Sequence, residues 1–139
     1  MSVGEAGMPA DVWTYDRFKV DEVIGSSTEV IEEDFGLRWE ALYTDSQRTG
    51  ALPYGMANLI AMRAYSEVVK PRPPGNIHAA QFCELSEVPV VSREIRSEVS
   101  CIAKYIKRER KMIEFRVAVS DVESDRLLCE SILTICWAQ

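Results

Sequence analysis

His78 lies in the stretch P-G-N-I-H-A-A-Q and is the only histidine in the chain. An imidazole is the one side chain whose ordinary pKa lets it both give and take a proton near neutral pH. Acid/base chemistry here must therefore run through His78 or through carboxylates alone. The competing reading of His78 is a strand-opening residue bonded to a neighbouring carbonyl. Asp45, in Y-T-D-S-Q, is the carboxylate of interest. Lined by Tyr43, Tyr54 and Trp39 it would be desolvated, and its pKa would rise toward that of a useful base. Beside Ser46 it could equally be an exposed turn former. Lys107, Arg108, Arg110 and Lys111 surround a single glutamate, and Lys70 and Arg72 stand in K-P-R-P-P-G. Each cluster is either a solvated turn or a seat for phosphate groups.

Composition narrows the possible chemistry. The chain has 139 residues, enough for one domain with a core of its own. A net charge of −6 argues against nucleic acid and anionic membranes as general partners. No apolar stretch reaches the ~18 residues that span a bilayer. The opening M-S-V-G-E-A-G-M-P-A-D has neither the basic start nor the apolar core of a secretory signal. Residues 1–15 are expected to form a flexible tail, with the domain over 16–139. The four cysteines, Cys83, Cys101, Cys129 and Cys136, make no C-x-x-C pair and have no histidine at ligand spacing. They read as reduced core thiols of a cytoplasmic protein, and no metal site is expected.

The elements that must position these groups divide into a helical front and a strand-rich back. Acid-rich T-E-V-I-E-E-D suits the positive end of a helix dipole and predicts a short helix over 31–43. A second helix is predicted from Pro53 to Val69, with proline in its first turn. Met56, Ala57, Leu59, Ile60, Ala61, Met62, Ala64 and Tyr65 leave it almost no polar face, so it must be buried on most sides. Asn58 and Arg63 are its polar exceptions, either pocket groups or bonds to a surrounding sheet. K-P-R-P-P-G-N then ends the helix. From Ile77 onward apolar residues recur every second position, predicting strands at 77–85, 99–106, 113–120 and 127–137, with V-P-V-V a bend or edge. Short turns between them imply an antiparallel meander. An α+β domain follows, with a curved antiparallel sheet wrapped around a central, mostly apolar helix.

Several stretches in this order resemble the MaoC-like branch of the hot-dog superfamily. They are I-E-E-D-F-G-L-R-W-E-A-L-Y-T-D, G-A-L-P-Y-G-M-A-N-L-I-A-M, I-H-A-A-Q-F, K-R-E-R-K-M-I-E-F-R-V-A-V-S and L-L-C-E-S-I-L-T-I-C-W. The resemblance spans about residues 18–137. It is nearest to the non-catalytic, N-terminal type of MaoC-like dehydratase domain, through I-H-A-A-Q. It implies a hydratase or dehydratase acting on acyl thioesters of coenzyme A or a carrier protein, or one subunit of such an enzyme. The reaction would be reversible addition of water to an enoyl thioester, with no cofactor beyond the thioester itself. Asp45 and His78 would carry acid/base roles, and Tyr54, Gly55 and Met56 at the helix start would bind the thioester carbonyl. Arg72, Lys107, Arg108 and Arg110 would hold phosphates of the coenzyme or of a phosphopantetheine arm. The family's D-x-x-x-x-H loop is not intact, because the residue five after Asp45 is Gly50 in D-S-Q-R-T-G. That departure favours a second reading, a non-catalytic acyl-binding partner whose companion subunit supplies the chemistry. A third reading, thioester hydrolysis, needs a carboxylate on the central helix, where only Glu67 near the far end is available. The resemblance further implies a dimer, with an identical copy or a second hot-dog subunit.

Overall fold

The computed structural model describes residues 11–32, 55–87 and 92–139. A short 3-10 helix at Tyr15–Arg17 leads into strand β1 (Glu22–Val30). Helix α1 (Gly55–Val68) and strands β2 (Ile77–Leu85), β3 (Glu94–Lys107), β4 (Arg110–Asp121) and β5 (Leu127–Trp137) follow. The five strands form one antiparallel sheet in the order β1-β3-β4-β5-β2. The curved sheet covering a central helix is the arrangement expected from the sequence.

The alternation read in the back half is what builds the core. Val99 and Cys101 of β3, Ile113, Phe115, Val117 and Val119 of β4, and Cys129, Leu133, Ile135 and Trp137 of β5 all turn inward and are buried. Against them α1 buries Met56, Ala57, Ile60, Ala61, Ala64 and Tyr65. Phe115 stands at the centre, with the rings of Phe18 and Tyr65 each 5.2 Å away and Trp137 at 5.9 Å. Such rings contribute edge and offset contacts beyond the area they bury. Among the described residues no helix is long and apolar enough to cross a membrane.

Three parts of the front half differ from expectation. Residues 22–30 form a strand where a helical front was expected, and β1 pairs with the first half of β3. Its sequence, E-V-I-G-S-S-T-E-V, carries too little apolar alternation to announce an edge strand, and hydrogen bonds to β3 override that weak local signal. Ile31 and Glu32 are not helical, and the rest of the expected 31–43 helix lies outside the described residues. The expected tail ends in packed structure. The Trp13 ring stacks on Phe18 at 4.6 Å, the Trp13 backbone N–H donates to the Pro71 carbonyl, and the Trp13 backbone carbonyl accepts from the Trp137 indole. The expected bend at V-P-V-V lies outside the described residues.

The β4–β5 turn is held by one buried carboxylate. Asp121 Oδ2 accepts from the Ser124 hydroxyl (2.7 Å) and the Ser124 N–H (2.9 Å), and both carboxylate oxygens accept from Arg93. The two Ser124 bonds, then Arg93, hold the Asp121 carboxyl below its ordinary pKa of 3.8. A depressed carboxylate adds stability that is present above the unfolded pKa and is lost as pH falls through the folded one. Asp121→Asn should therefore be less stable than the parent at pH 7. The difference should close as pH drops below about 4, and urea unfolding at several pH values reads it.

Candidate functional site

Helix α1 and the loop after it fix where the candidate groups stand. Gly55 is the first helical residue and is exposed, whereas Met56 is buried beneath it. The amino end of α1 lies over the middle of β2, where Gln81 Nε2 donates to the Asn58 side chain at 3.2 Å and to its carbonyl at 3.3 Å. Arg63 reaches the other side of the sheet and pairs with Glu29 of β1 at 3.0 Å. Both polar exceptions of the helix thus tie it to strands. Asp45 and Tyr54 lie outside the described residues.

His78 opens β2 at the other end of the helix. It is exposed, sits opposite the inward-facing Ile135, and lines a cavity of about 330 Å3 with Met62, Tyr65, Arg72 and Asn76. The structure thus brings His78 and Arg72 together. Arg72 lies with its guanidinium 5.5 Å above the Tyr65 ring and donates to the Ser66 and Val69 carbonyls, closing the carboxyl end of α1. Burial pushes the Tyr65 phenol up to about 12, against the opposing pull of Arg72, so it stays protonated at any working pH. The Asn76 Nδ2 is buried without a partner, while its carbonyl oxygen accepts from the Ala138 N–H. The cavity therefore presents donors: a phenol, an amide, a guanidinium and an imidazole.

Within one chain the structure does not bring His78 to the helix start. Tyr65, beside His78, and Met56 are nine residues apart, ~14 Å along a helix axis at 1.5 Å per residue. Lys107, Arg108 and Arg110 stand farther out again, at the tip of the β3–β4 hairpin, all exposed. Glu67 is exposed on the last turn of α1 and ion-paired to Lys70 at 3.0 Å, far from the helix start.

A second, larger cleft was not foreseen. It measures about 620 Å3 between β1 and α1 and is lined by Gly25, Ser27, Glu29, Arg63, Glu67 and Ser97 among others. Gly25 permits this close approach, because a Cβ there would meet Val68 Cγ1 at 3.1 Å. Glu29 is held by Arg63 through one oxygen, and its other oxygen is buried without a partner. Only recognition of β1 as a strand would have shown that Ser27 and Glu29 share its inward face. All four cysteines are free thiols, and among the described residues no cluster of His, Cys, Asp or Glu is placed to hold a metal.

No protein-family model matches the sequence, and no curated protein matches it at a significant level. Solved structures do. A MaoC-like dehydratase from Rhodospirillum rubrum superposes with a TM-score of 0.75 at 11% identity, over 91% of this chain and 98% of that one. A monoamine oxidase regulatory protein from Archaeoglobus fulgius gives 0.78 at 10% identity, over 92% and 96%. The chain has the hot-dog fold. The ChsH1-ChsH2 complex from Mycobacterium tuberculosis shares it, with a TM-score of 0.69 at 8% identity over 86% of this chain and 98% of that one. Hydratases and thioesterases both occur among such hot-dog neighbours. The α+β hot-dog architecture expected from the sequence is therefore the one observed.

Proposed function

We propose that this hot-dog chain is a subunit of an acyl-thioester hydratase or dehydratase whose site is completed by a second hot-dog chain across the β2 edge. One observation carries the reading. His78 lies on the inner face of β2, the edge strand among the described residues, at the opposite end of α1 from its amino end at Gly55 and Met56. Antiparallel pairing of β2 with a partner's β2, about a two-fold near the strand's middle, reverses the partner's helix. It would carry the partner's helix start toward His78. The edge suits that pairing: Ile77 is 52% exposed, Phe82 64%, and Leu59 on the neighbouring helix 42%.

In such a pair each group has a defined task. Free N–H groups at Gly55 and Met56 would polarise the thioester carbonyl and hold the developing enolate oxygen. His78 and Asp45 would share proton transfer, one taking a proton from water and the other protonating the α-carbon. The thioester acidifies that carbon, so no metal or redox group is required. Glu67 is ill placed for hydrolysis, being exposed and engaged with Lys70. If the companion subunit contributes all the acid/base groups, this chain shapes the acyl site, as the broken D-x-x-x-x-H pattern suggests. A cytoplasmic setting is the one in which four free thiols persist.

The test is loss of enoyl absorbance with short and medium enoyl thioesters, together with light scattering. Parent protein should scatter as a two-chain particle and hydrate the substrate. Phe82→Glu should halve the mass and lower turnover at least ~100-fold. A monomeric parent with full activity sinks the proposal.

A further inference from the structure

We infer that the cavity beside His78 takes a carboxylate at the far end of the acyl chain, which makes the substrate a short dicarboxylic enoyl thioester. Resting on the thioester reading, this names the acyl group that the reading leaves open. The lining of the cavity is one-sided in charge. Arg72 and His78 stand in it with Met62, Tyr65, Asn76 and Ile135, and no aspartate or glutamate lines it. The chain as a whole has 22 acidic residues against 16 basic ones, so this wall runs against its composition. Glu67, on the last turn of α1, is paired with Lys70 at 3.0 Å and does not neutralise Arg72.

Both groups that would hold the carboxylate have donors to spare. Arg72 donates to the Ser66 carbonyl at 2.8 Å and to the Val69 carbonyl at 2.6 Å, and both bonds use Nη1. Its Nε–Nη2 edge makes no bond among the described residues, and such an edge grips a carboxylate through two parallel bonds. The carboxyl end of α1 carries about half a negative charge, so a full positive charge at its cap still attracts an anion. The Tyr65 hydroxyl also lacks a hydrogen-bond partner among the described residues. It remains a donor, because burial pushes its pKa up to about 12. The guanidinium lies 5.5 Å from the centre of the Tyr65 ring, so the two donors share one wall of the cavity.

Position decides between the two anions that a thioester can bring. The phosphates of coenzyme A or of a carrier's arm lie a whole pantetheine away from the reacting carbons. His78, the proton carrier of the proposed site, lines the same cavity as Arg72. A cation there meets what the acyl chain carries beyond its β-carbon, not what lies behind the sulfur. Size then limits the chain. A cavity of about 330 Å3 is at the small end of ligand sites, and the buried Tyr65 and Ile135 wall it on the core side. A plain alkyl tail would cover the Arg72 edge and the Tyr65 hydroxyl without satisfying either, which costs free energy that a carboxylate does not.

The experiment measures, by titration calorimetry, binding of the glutaryl thioester of N-acetylcysteamine and of its methyl ester. Full-length parent is compared with Arg72→Gln and Tyr65→Phe. Neither probe carries a phosphate, and both are saturated, so neither can be hydrated. We expect the parent to bind the acid at least ~10-fold more tightly than the ester. Arg72→Gln should bring that ratio close to one, and Tyr65→Phe should lower it ~3-fold. Arg72→Gln gives up two helix-capping bonds, so Tyr65→Phe, which keeps the ring, carries the test if the first variant does not fold. An unchanged ratio in every folded variant overturns the inference, as does a parent that binds both probes equally or binds neither. Coenzyme A is titrated separately. If Arg72→Gln weakens it as much as the glutaryl thioester, Arg72 belongs to phosphate and the inference falls. Because nothing turns over in this measurement, failed hydration would sink the catalytic reading while leaving the acid-to-ester ratio standing.

Discussion

Phe115→Ala is expected to lower the unfolding free energy by about 3–5 kcal/mol, the range for truncating a fully buried aromatic. Phe115 has no exposed surface, and three aromatic rings lie within 6 Å of its centre. These rings come from the segment before β1, from α1 and from β5, so the cavity left behind has rigid walls on three sides. Domains of this size have only ~5–15 kcal/mol in total, so the loss is a large share. Urea unfolding followed by tryptophan fluorescence measures it, since Trp13 and Trp137 report on the same cluster. Phe115→Leu should recover more than half of the loss by refilling most of the volume. A loss below ~1 kcal/mol for the alanine variant would mean that Phe115 is not the centre of the core.

The second large effect distinguishes a site shared between chains from a site within one. His78→Ala should lower hydration by about 100- to 10,000-fold, the usual contribution of a positioned acid or base. Gly55→Pro should lower it by a similar factor, removing one backbone donor at a helix position that tolerates proline. Each variant alone then has no good site. Mixing and re-pairing the two should restore about a quarter of parental activity, because half the pairs are mixed and each mixed pair keeps one intact site. Sites confined to single chains would leave the mixture as inactive as its parts. A mixed sample that stays inactive after full re-pairing removes His78 and the partner's helix start from a common site.

Much of the architecture is legible in the residues, and the exceptions have physical causes. Helix α1, expected from Pro53 to Val69, is observed over Gly55–Val68 because its dense run of apolar residues is a strong signal. β5 matches its expected 127–137 span, and β2 its 77–85 span, since each is an apolar-rich run that follows turn-forming residues. β3 begins at Glu94, earlier than the expected 99, because E-I-R-S-E alternates buried Ile95 and Ser97 with charge, and serine does not register as an inward residue. β1 escapes for the same reason, with Gly25, Ser26 and Ser27 at its middle. The site is less legible than the fold. His78 was placed at a strand opening, where it stands. Its distance from Gly55 and Met56 depends on how the 69–76 loop sets β2 against α1, and local pattern carries no record of that register. The cleft beside β1 has no signature in the residues, because E-V-I-G-S-S-T-E-V carries too little alternation to mark a strand.

Burial also decides which thiols can react. Cys129 is pushed up to about 12 by desolvation, reinforced by the neighbouring Cys83, so it is expected to resist alkylation in the native state.

The β2 edge, to which no further strand is added among the described residues, has a consequence beyond geometry. In the proposed pair, a chain whose β2 exposes Ile77 and Phe82 and gains no further strand among the described residues would be completed by another chain, so its folded lifetime would become a function of concentration. Dilution should depress its melting temperature, and synthesis in excess of a companion would leave strands free to join the wrong neighbours. For such a protein, abundance and matched supply of its partner are as much a part of stability as the core around Phe115.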